Sequence, residues 1–130
     1  MHDVRIISVS IARDWRAAYD FLSDPENVAK WASGLGTLAS SGDGWITRTP
    51  EGVAMPVRFA PPNPYGVFDH WLAPPDGDEI HIPLRVIPNG SGCTVTLTLL
   101  RLPDMDDERL ARDAAWVERD LATLKQLLEA

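Results

Sequence analysis

The sequence predicts an α+β fold in which one long helix packs against an antiparallel meander. Three observations carry that prediction. Turn signals recur at "SGDG", "TPEG", "PPNP", "PPDG" and "PNGSG" between Leu35 and Arg101. They separate runs of strand length, the punctuation of successive hairpins, here about six strands. After Pro103, residues Leu110, Ala114, Val117, Leu121, Leu124 and Leu128 recur at alternating spacings of four and three, one apolar stripe along a long helix. Between an opening strand and the meander, "RDWRAAYDFLSDPENVAKWASG" has room for two short helices. A single helix and a single sheet bury each other's apolar faces best when the sheet wraps around the helix.

Taken in order, Arg5 to Ile11 alternates in part and reads as the first strand. Asp14 is placed to cap the first helix, in which Trp15, Ala18 and Leu22 recur at helical spacing. Ser23 followed by Glu26 has capping-box spacing, Pro25 suits the first turn of the second helix, and Gly34 is placed to end it. In the last helix, Asp106, Asp107 and Glu108 suit the positive N-terminal end, while Arg112, Glu118, Arg119 and Lys125 fall off the apolar stripe.

The hairpin registers follow from the turns. "PPDG" as a three-residue loop, Pro75-Asp76-Gly77 with Gly77 left-handed, sets His70 opposite Ile82, Phe68 opposite Leu84 and Leu72 opposite Ile80. The other face then carries Asp69 opposite Pro83, Val67 opposite Arg85 and Trp71 opposite His81. "PNGS" with a two-residue Asn89-Gly90 turn sets Leu84 opposite Val95, Ile82 opposite Leu97 and Ile80 opposite Leu99. Both turns give one inner face: Phe68, His70, Leu72, Ile80, Ile82, Leu84, Val95, Leu97 and Leu99. "PEG" as a three-residue loop places Met55 and Val57 with Thr47 and Trp45.

Composition narrows the function classes. A chain of 130 residues with 45% hydrophobic and 24% charged residues reads as one domain over 1–130. The net charge of -7, with no Lys/Arg cluster, argues against nucleic acid as a partner. One cysteine, Cys93, leaves no internal disulfide and no multi-cysteine zinc site. No leader pattern opens the chain and no apolar run approaches the roughly 20 residues that span a bilayer, so a soluble, cytoplasmic protein without membrane contact is expected. "GLGTLASSG" lacks the lysine and strand–helix context of a phosphate loop, and no G-x-S-x-G elbow occurs. Cys93 has no convincing base, and His2, His70 and His81 have no carboxylate at ligand spacing, so neither a metal nor a cofactor is expected.

The most suggestive stretch is "NPYGVFDHW", Asn63 to Trp71, where an acid and a histidine stand side by side. Strand neighbours point to opposite faces, so Asp69 and His70 cannot form a dyad with each other. His70 is left as the one ionisable group on the inner face. It suits three roles: a core histidine bonded to a carbonyl or hydroxyl, a pocket residue that orients a ligand, or a general acid/base. Thr47 is the only other inward polar candidate. Asp69 and Arg85 read as an exposed cross-strand ion pair or a partner contact, and Trp71, outward beside Val67, as a homodimer contact. Trp31, Trp45 and Trp116, with Met55 and Phe59, suit a pocket for a flat apolar ligand or simply the packing under the sheet.

The order of elements, together with "FLSDPENVAKWASGLG", "NPYGVFDH", "PLRVIPNGSG" and "DAAWVERDLATLKQLLE", resembles the START/Bet v 1-like superfamily over nearly the whole chain. The resemblance is to its SRPBCC, polyketide cyclase/dehydrase-like branch. It implies a helix-grip fold: two short helices after strand 1, and a curved antiparallel sheet of about seven strands wrapped around a long C-terminal helix. The superfamily includes lipid carriers, plant hormone receptors, aromatase/cyclases and ring-hydroxylating oxygenase subunits, and no catalytic motif common to them carries onto this chain. A pocket between sheet and helix is what they share. The implied function is therefore binding of a small hydrophobic or aromatic molecule by Trp31, Trp45, Thr47, Met55, Val57, Phe59, Phe68, His70, Leu72, Ile82, Leu84, Leu97, Val117 and Leu121. One rival is a cyclase/dehydratase-type enzyme using His70 on a ligand held among Trp31, Phe68 and Leu121; another is a regulatory or dimerisation domain with a closed interior. The sequence leaves open whether a reaction is catalysed.

Overall fold

In a computed structural model, residues 1–42, 44–49 and 52–130 are described. Strand β1 (Val4–Ile11) leads into α1 (Trp15–Leu22), whose N-cap Asp14 accepts hydrogen bonds from the backbone N–H groups of Arg16 (3.1 Å) and Ala17 (3.2 Å). Helix α2 (Pro25–Trp31) is capped by Asp24, which accepts from Glu26 N at 3.0 Å. Ser23 is not that cap; it closes α1, its N–H bonding to Tyr19 O. Pro25 fixes the first helical position, so the cap falls on the residue just before it. Gly34 does not end α2 either. The helix stops at Ala32, and Gly34 lies within a 3₁₀ turn, Ser33–Leu35. The left-handed glycine is Gly36 (φ 71), where a Cβ would sit 1.9 Å from Arg48 O.

The meander comprises β2 (Thr37–Ser41), β3 (Gly44–Arg48), β4 (Ala54–Phe59), β5 (His70–Leu72), β6 (Ile80–Ile82), β7 (Leu84–Asn89) and β8 (Gly92–Leu100). Among the described residues there are thus eight strands rather than about seven. They form a five-stranded ladder, β2-β3-β4-β5-β6, and a three-stranded one, β1-β8-β7. The division falls at Pro83, which has no N–H to give and interrupts what would be one long strand. Thr98 N still donates to Pro83 O (3.0 Å) and Phe68 N to Leu84 O (2.9 Å), so the two ladders stay joined as one curved antiparallel layer.

The β5–β6 register is the expected one, with His70 opposite Ile82, Trp71 opposite His81 and Leu72 opposite Ile80, and an isolated bridge joins Val67 to Arg85. The expected turn is not. The ladder stops at Leu72–Ile80, Ala73 N bonds instead to Pro56 O, and Gly77 does not take positive φ. In the β7–β8 hairpin the turn is Gly90-Ser91, with Gly90 (φ 59) in the first central place, not Asn89-Gly90. Leu84 therefore faces Leu97 and Val86 faces Val95, a shift of two residues that leaves each side chain on its predicted face. The expected Ile82–Leu97 and Ile80–Leu99 pairs do not form, because β6 belongs to the other ladder. Thr47 pairs with Met55 and Trp45 with Val57 as expected, although Pro50 and Glu51 of the "PEG" loop, like Asp43 of "SGDG", lie outside the described residues.

Helix α3 (Asp107–Glu129) begins at Asp106, which accepts from Arg109 N (2.8 Å). Its stripe packs as the periodicity requires: Leu110, Ala114, Leu121, Leu124 and Leu128 are buried and Val117 is half-buried. The stripe meets Ile7, Ile11, Leu84, Val86 and Val95 from the sheet, and α1 and α2 add Leu22 and Val28 to the same core. Lys125 Nζ ties the end of α3 to Ser10 O (2.7 Å), and Glu129 accepts from Ala12 N (2.8 Å). Among the described residues no helix is long and apolar enough to cross a membrane.

Candidate functional site

The core does not fill the space under the sheet. A cavity of about 260 Å³, open to the surface, lies between α3 and the seam where the two ladders part. The five-stranded ladder contributes Met55, His70, Leu72, Ile80 and Ile82, and the three-stranded one Leu97 and Leu99. Val117 and Leu121 line it from α3, and Trp31 and Leu35 from the α2 side. The wall is mainly aliphatic and aromatic, with Arg109, Asp113 and Asp120 from α3 and His70 and His81 from the sheet as its ionisable groups.

Eight of the fourteen residues expected to bind ligand line this cavity: Trp31, Met55, His70, Leu72, Ile82, Leu97, Val117 and Leu121. The other six lie elsewhere. Val57, Phe68 and Leu84 are sealed in packed interior, and Phe59 stacks on Phe68 with ring centroids 5.0 Å apart. Thr47 is buried and spends its hydroxyl on Leu35 O, so it gives no second polar group to the cavity. Trp45 borders a shallow groove on the sheet with Arg58 and Trp71. For Leu84 the physical reason is the position of α1. The inner face of the sheet is longer than the cavity, and α1, packed on β7 and β8, fills the rest.

Sequence reasoning named Trp116, which lines the cavity, as a pocket residue but missed the polar row to which it belongs. Arg109, Asp113, Trp116 and Asp120 follow one another at spacings of four, three and four, a second row beside the apolar stripe. That spacing was the available signal. Trp116 Nε1 donates to Ser33 Oγ (2.8 Å), Ser33 Oγ donates to Asp120 Oδ1 (2.5 Å), and Gly34 N donates to Asp120 Oδ2 (3.0 Å). These bonds pin the turn after α2 to the helix at the cavity rim.

His70 is 6% exposed, on the predicted inner face, with the rings of Phe59 and Phe68 at 5.8 and 6.3 Å. Burial lowers its pKa from 6.5 to about 4, against weaker opposition from the Phe68 carbonyl and the Asp69 charge, so the ring is neutral at pH 7. Its Nδ1 lies 3.5 Å from Phe68 O. A carbonyl only accepts, so Nδ1 carries the hydrogen and Nε2 presents a lone pair. Among the described residues Nε2 has no hydrogen-bond partner. Trp31 Nε1 is likewise buried without a partner among them.

Asp69 does point to the opposite face, but the expectation of an exposed ion pair is overturned. It is 3% exposed and accepts from Leu84 N (3.0 Å), Arg85 Nε (2.9 Å), Arg85 Nη2 (2.8 Å) and His81 Nε2 (2.9 Å). Burial alone would raise its pKa; the bonds from Arg85, His81 and Leu84 outweigh that and hold it at about 2. Trp71 is no free aromatic either. Its indole lies between neighbours on the adjacent strands, with His81 stacked at 4.9 Å and the Arg58 guanidinium 4.2 Å from the ring centre.

The sequence matches no family model and no curated protein. In structure the chain is similar to DynU16, a protein of the dynemicin biosynthetic locus (TM-score 0.75, 17% identity). All of this chain aligns there on 48% of DynU16, so it spans about half the length of that protein. It is also similar to the Aha1 dimer from Colwellia psychrerythraea (TM-score 0.74, 15% identity, 98% of this chain and 96% of that one). A third similar structure is Ara h 8.0201 (TM-score 0.70, 7% identity, 98% of each chain). At these identities the likeness shows architecture alone, and that architecture is the Bet v 1-like helix-grip fold.

Proposed function

We propose that this protein binds a small, largely apolar molecule, aliphatic or aromatic, in the cavity between the curved sheet and α3. The observation that carries the reading is the cavity itself. Protein interiors are packed to crystal-like density, with few voids larger than a water molecule, so about 260 Å³ of open space lined mainly by apolar side chains asks for an occupant. That volume lies near the lower end of ligand sites, which favours a compact guest of one or two rings. His70 and Trp31 are the kind of sparse polar groups that orient a ligand in such a site.

The rival acid–base reading has less support. With a pKa near 4, His70 holds almost no proton to donate at neutral pH and is a weak base. A dimerisation domain built around a bare Trp71 has less still, since Arg58 and His81 cover that ring.

The test uses prodan, a neutral two-ring dye whose emission shifts to the blue in apolar surroundings. Expected is a saturable blue shift at one dye per chain, abolished by Val117→Phe, which pushes a ring into the cavity from α3. A dye that stays in water, or binds the variant equally well, would overturn the proposal. Native mass spectrometry of protein purified from its own host would then weigh the natural guest directly.

A further inference from the structure

We infer that the guest of this cavity presents a hydrogen-bond donor, a neutral hydroxyl or N–H on an apolar frame, to Nε2 of His70. The inference rests on the cavity-binding reading above and adds the chemistry of the guest's polar end. The imidazole has one protein group within reach, the Phe68 carbonyl 3.5 Å from Nδ1, and a carbonyl can only accept. The hydrogen therefore sits on Nδ1, and Nε2, in a residue that lines the cavity, is a bare acceptor. Turning the ring over would forfeit the Phe68 contact, and the rings of Phe59 and Phe68 pack close beside it. The backbone is held as well, since His70 is laddered to Phe59 on one side and to Ile82 on the other. The acceptor is thus fixed in place before any guest arrives.

At His70 this selects against a carboxylate, whose acceptor oxygens would have to turn to the unpartnered Trp31 indole N–H elsewhere on the wall. A carboxylate has only lone pairs to offer, and Nε2 meets them with another. The protonation that would turn Nε2 into a donor is opposed by burial. At the rim Asp113 and Asp120 add negative charge, of which Asp113 lies 3.8 Å from Arg109 Nε. A carbonyl or ether faces the same mismatch with Nε2 without the repulsion. A phenol, alcohol or amine N–H matches it.

Four probes on one frame separate these cases by displacement of prodan: naphthalene, 2-naphthol, 2-methoxynaphthalene and 2-naphthoate. Water holds 2-naphthol better than naphthalene, so tighter binding of the naphthol reports a bond made inside the protein. Expected is an affinity for 2-naphthol about tenfold above that for naphthalene, no such gain for 2-methoxynaphthalene, and the weakest binding for 2-naphthoate. His70→Leu should bring 2-naphthol down to the level of naphthalene while naphthalene moves less than about threefold. If the variant does not fold, the methoxy and hydroxy pair decides the matter on the native chain. Naphthol no tighter than naphthalene, or naphthoate tightest of the four, overturns the donor inference and leaves the cavity reading standing. If prodan itself does not enter the cavity, the cavity reading falls and takes this inference with it.

Discussion

Asp69 and His70 are adjacent in the chain and are both buried, yet their environments drive them to opposite charge states. Alternation in the extended chain entering β5 turns the acid toward Arg85 and His81 and the imidazole toward hydrocarbon. Both pKa values are depressed, and the sign of the consequence is the same. His70 stays neutral in the fold down to about pH 4, whereas an unfolded chain takes up that proton near 6.5, so its share of stability is whole above 6.5 and lost as pH falls toward 4. Asp69 keeps its charge to about pH 2 against 3.8 when unfolded, so its share is whole above about 4 and lost below that. The two losses are about 3 and about 2 kcal/mol. Urea titrations at a series of pH values should show His70→Phe flattening the decline between 6.5 and 4, and Asp69→Asn flattening the part below 4. Asp69→Asn should also cost about 2–3 kcal/mol at pH 7, because it withdraws a buried charge from the bidentate Arg85 guanidinium and from the hydrogen bonds of His81 and Leu84. A variant series with unchanged slopes would show that neither group is held as described. The opposite orientation of the two side chains was legible from the sequence. The burial of Asp69 was not, because it depends on Arg85 and His81 closing over the carboxylate from strands more than ten residues away.

At the scale of elements, most local signals were read well, the Ser23 cap and the Asn89-Gly90 turn excepted, and the places where chain meets chain were not. Asp14, Pro25, Asp106 and the stripe on α3 act within a few residues of themselves, and they sit where the sequence put them. Gly34 was read as the end of α2 and Gly77 as left-handed, whereas positive φ with a need for glycine falls at Gly36 and Gly66, where that need comes from distant backbone: Arg48 O for one and Val86 O for the other. This difference can be measured. Gly77 has open space around its Cβ position and no positive φ, so Gly77→Ala should leave stability within about 0.5 kcal/mol or raise it slightly. Gly66 (φ 72) would place a Cβ 2.2 Å from Val86 O, so Gly66→Ala should cost about 3 kcal/mol or prevent folding. The stripe on α3 is uneven in the same measurable way. Leu124 is 0% exposed in packed core, and Leu124→Ala should cost about 3 kcal/mol by chemical denaturation. Val117 already borders open space, and Val117→Ala should cost less than about 1 kcal/mol. Equal costs would mean that the helix is packed evenly along its length and that the cavity is closed in solution.

For the whole molecule, the cavity follows from how the sheet curves. Pro83 breaks the strand between β6 and β7, so the sheet turns there as two joined ladders, and the space below their seam is wider than α3 can fill. Periodicity assigns residues to the inner face but carries no measure of that separation, which is why it named Phe68 and Leu84 beside His70 and Leu97 without distinguishing packed interior from cavity wall. A fold that keeps such a space gives up dispersion contacts along its lining. Filling it should recover them and remove the function together. Val117→Phe, directed into the cavity from α3, should raise the free energy of unfolding by about 1 kcal/mol through newly buried apolar area. Prodan at a hundred times its dissociation constant should stabilise the native chain by about 2.7 kcal/mol and the variant not at all. Thermal unfolding of both chains, with and without dye, reads the two effects in one experiment. A variant that is less stable yet still shifted by the dye would place the binding site somewhere other than the seam, and a variant that is more stable yet still shifted would show that the guest does not occupy the space α3 leaves open.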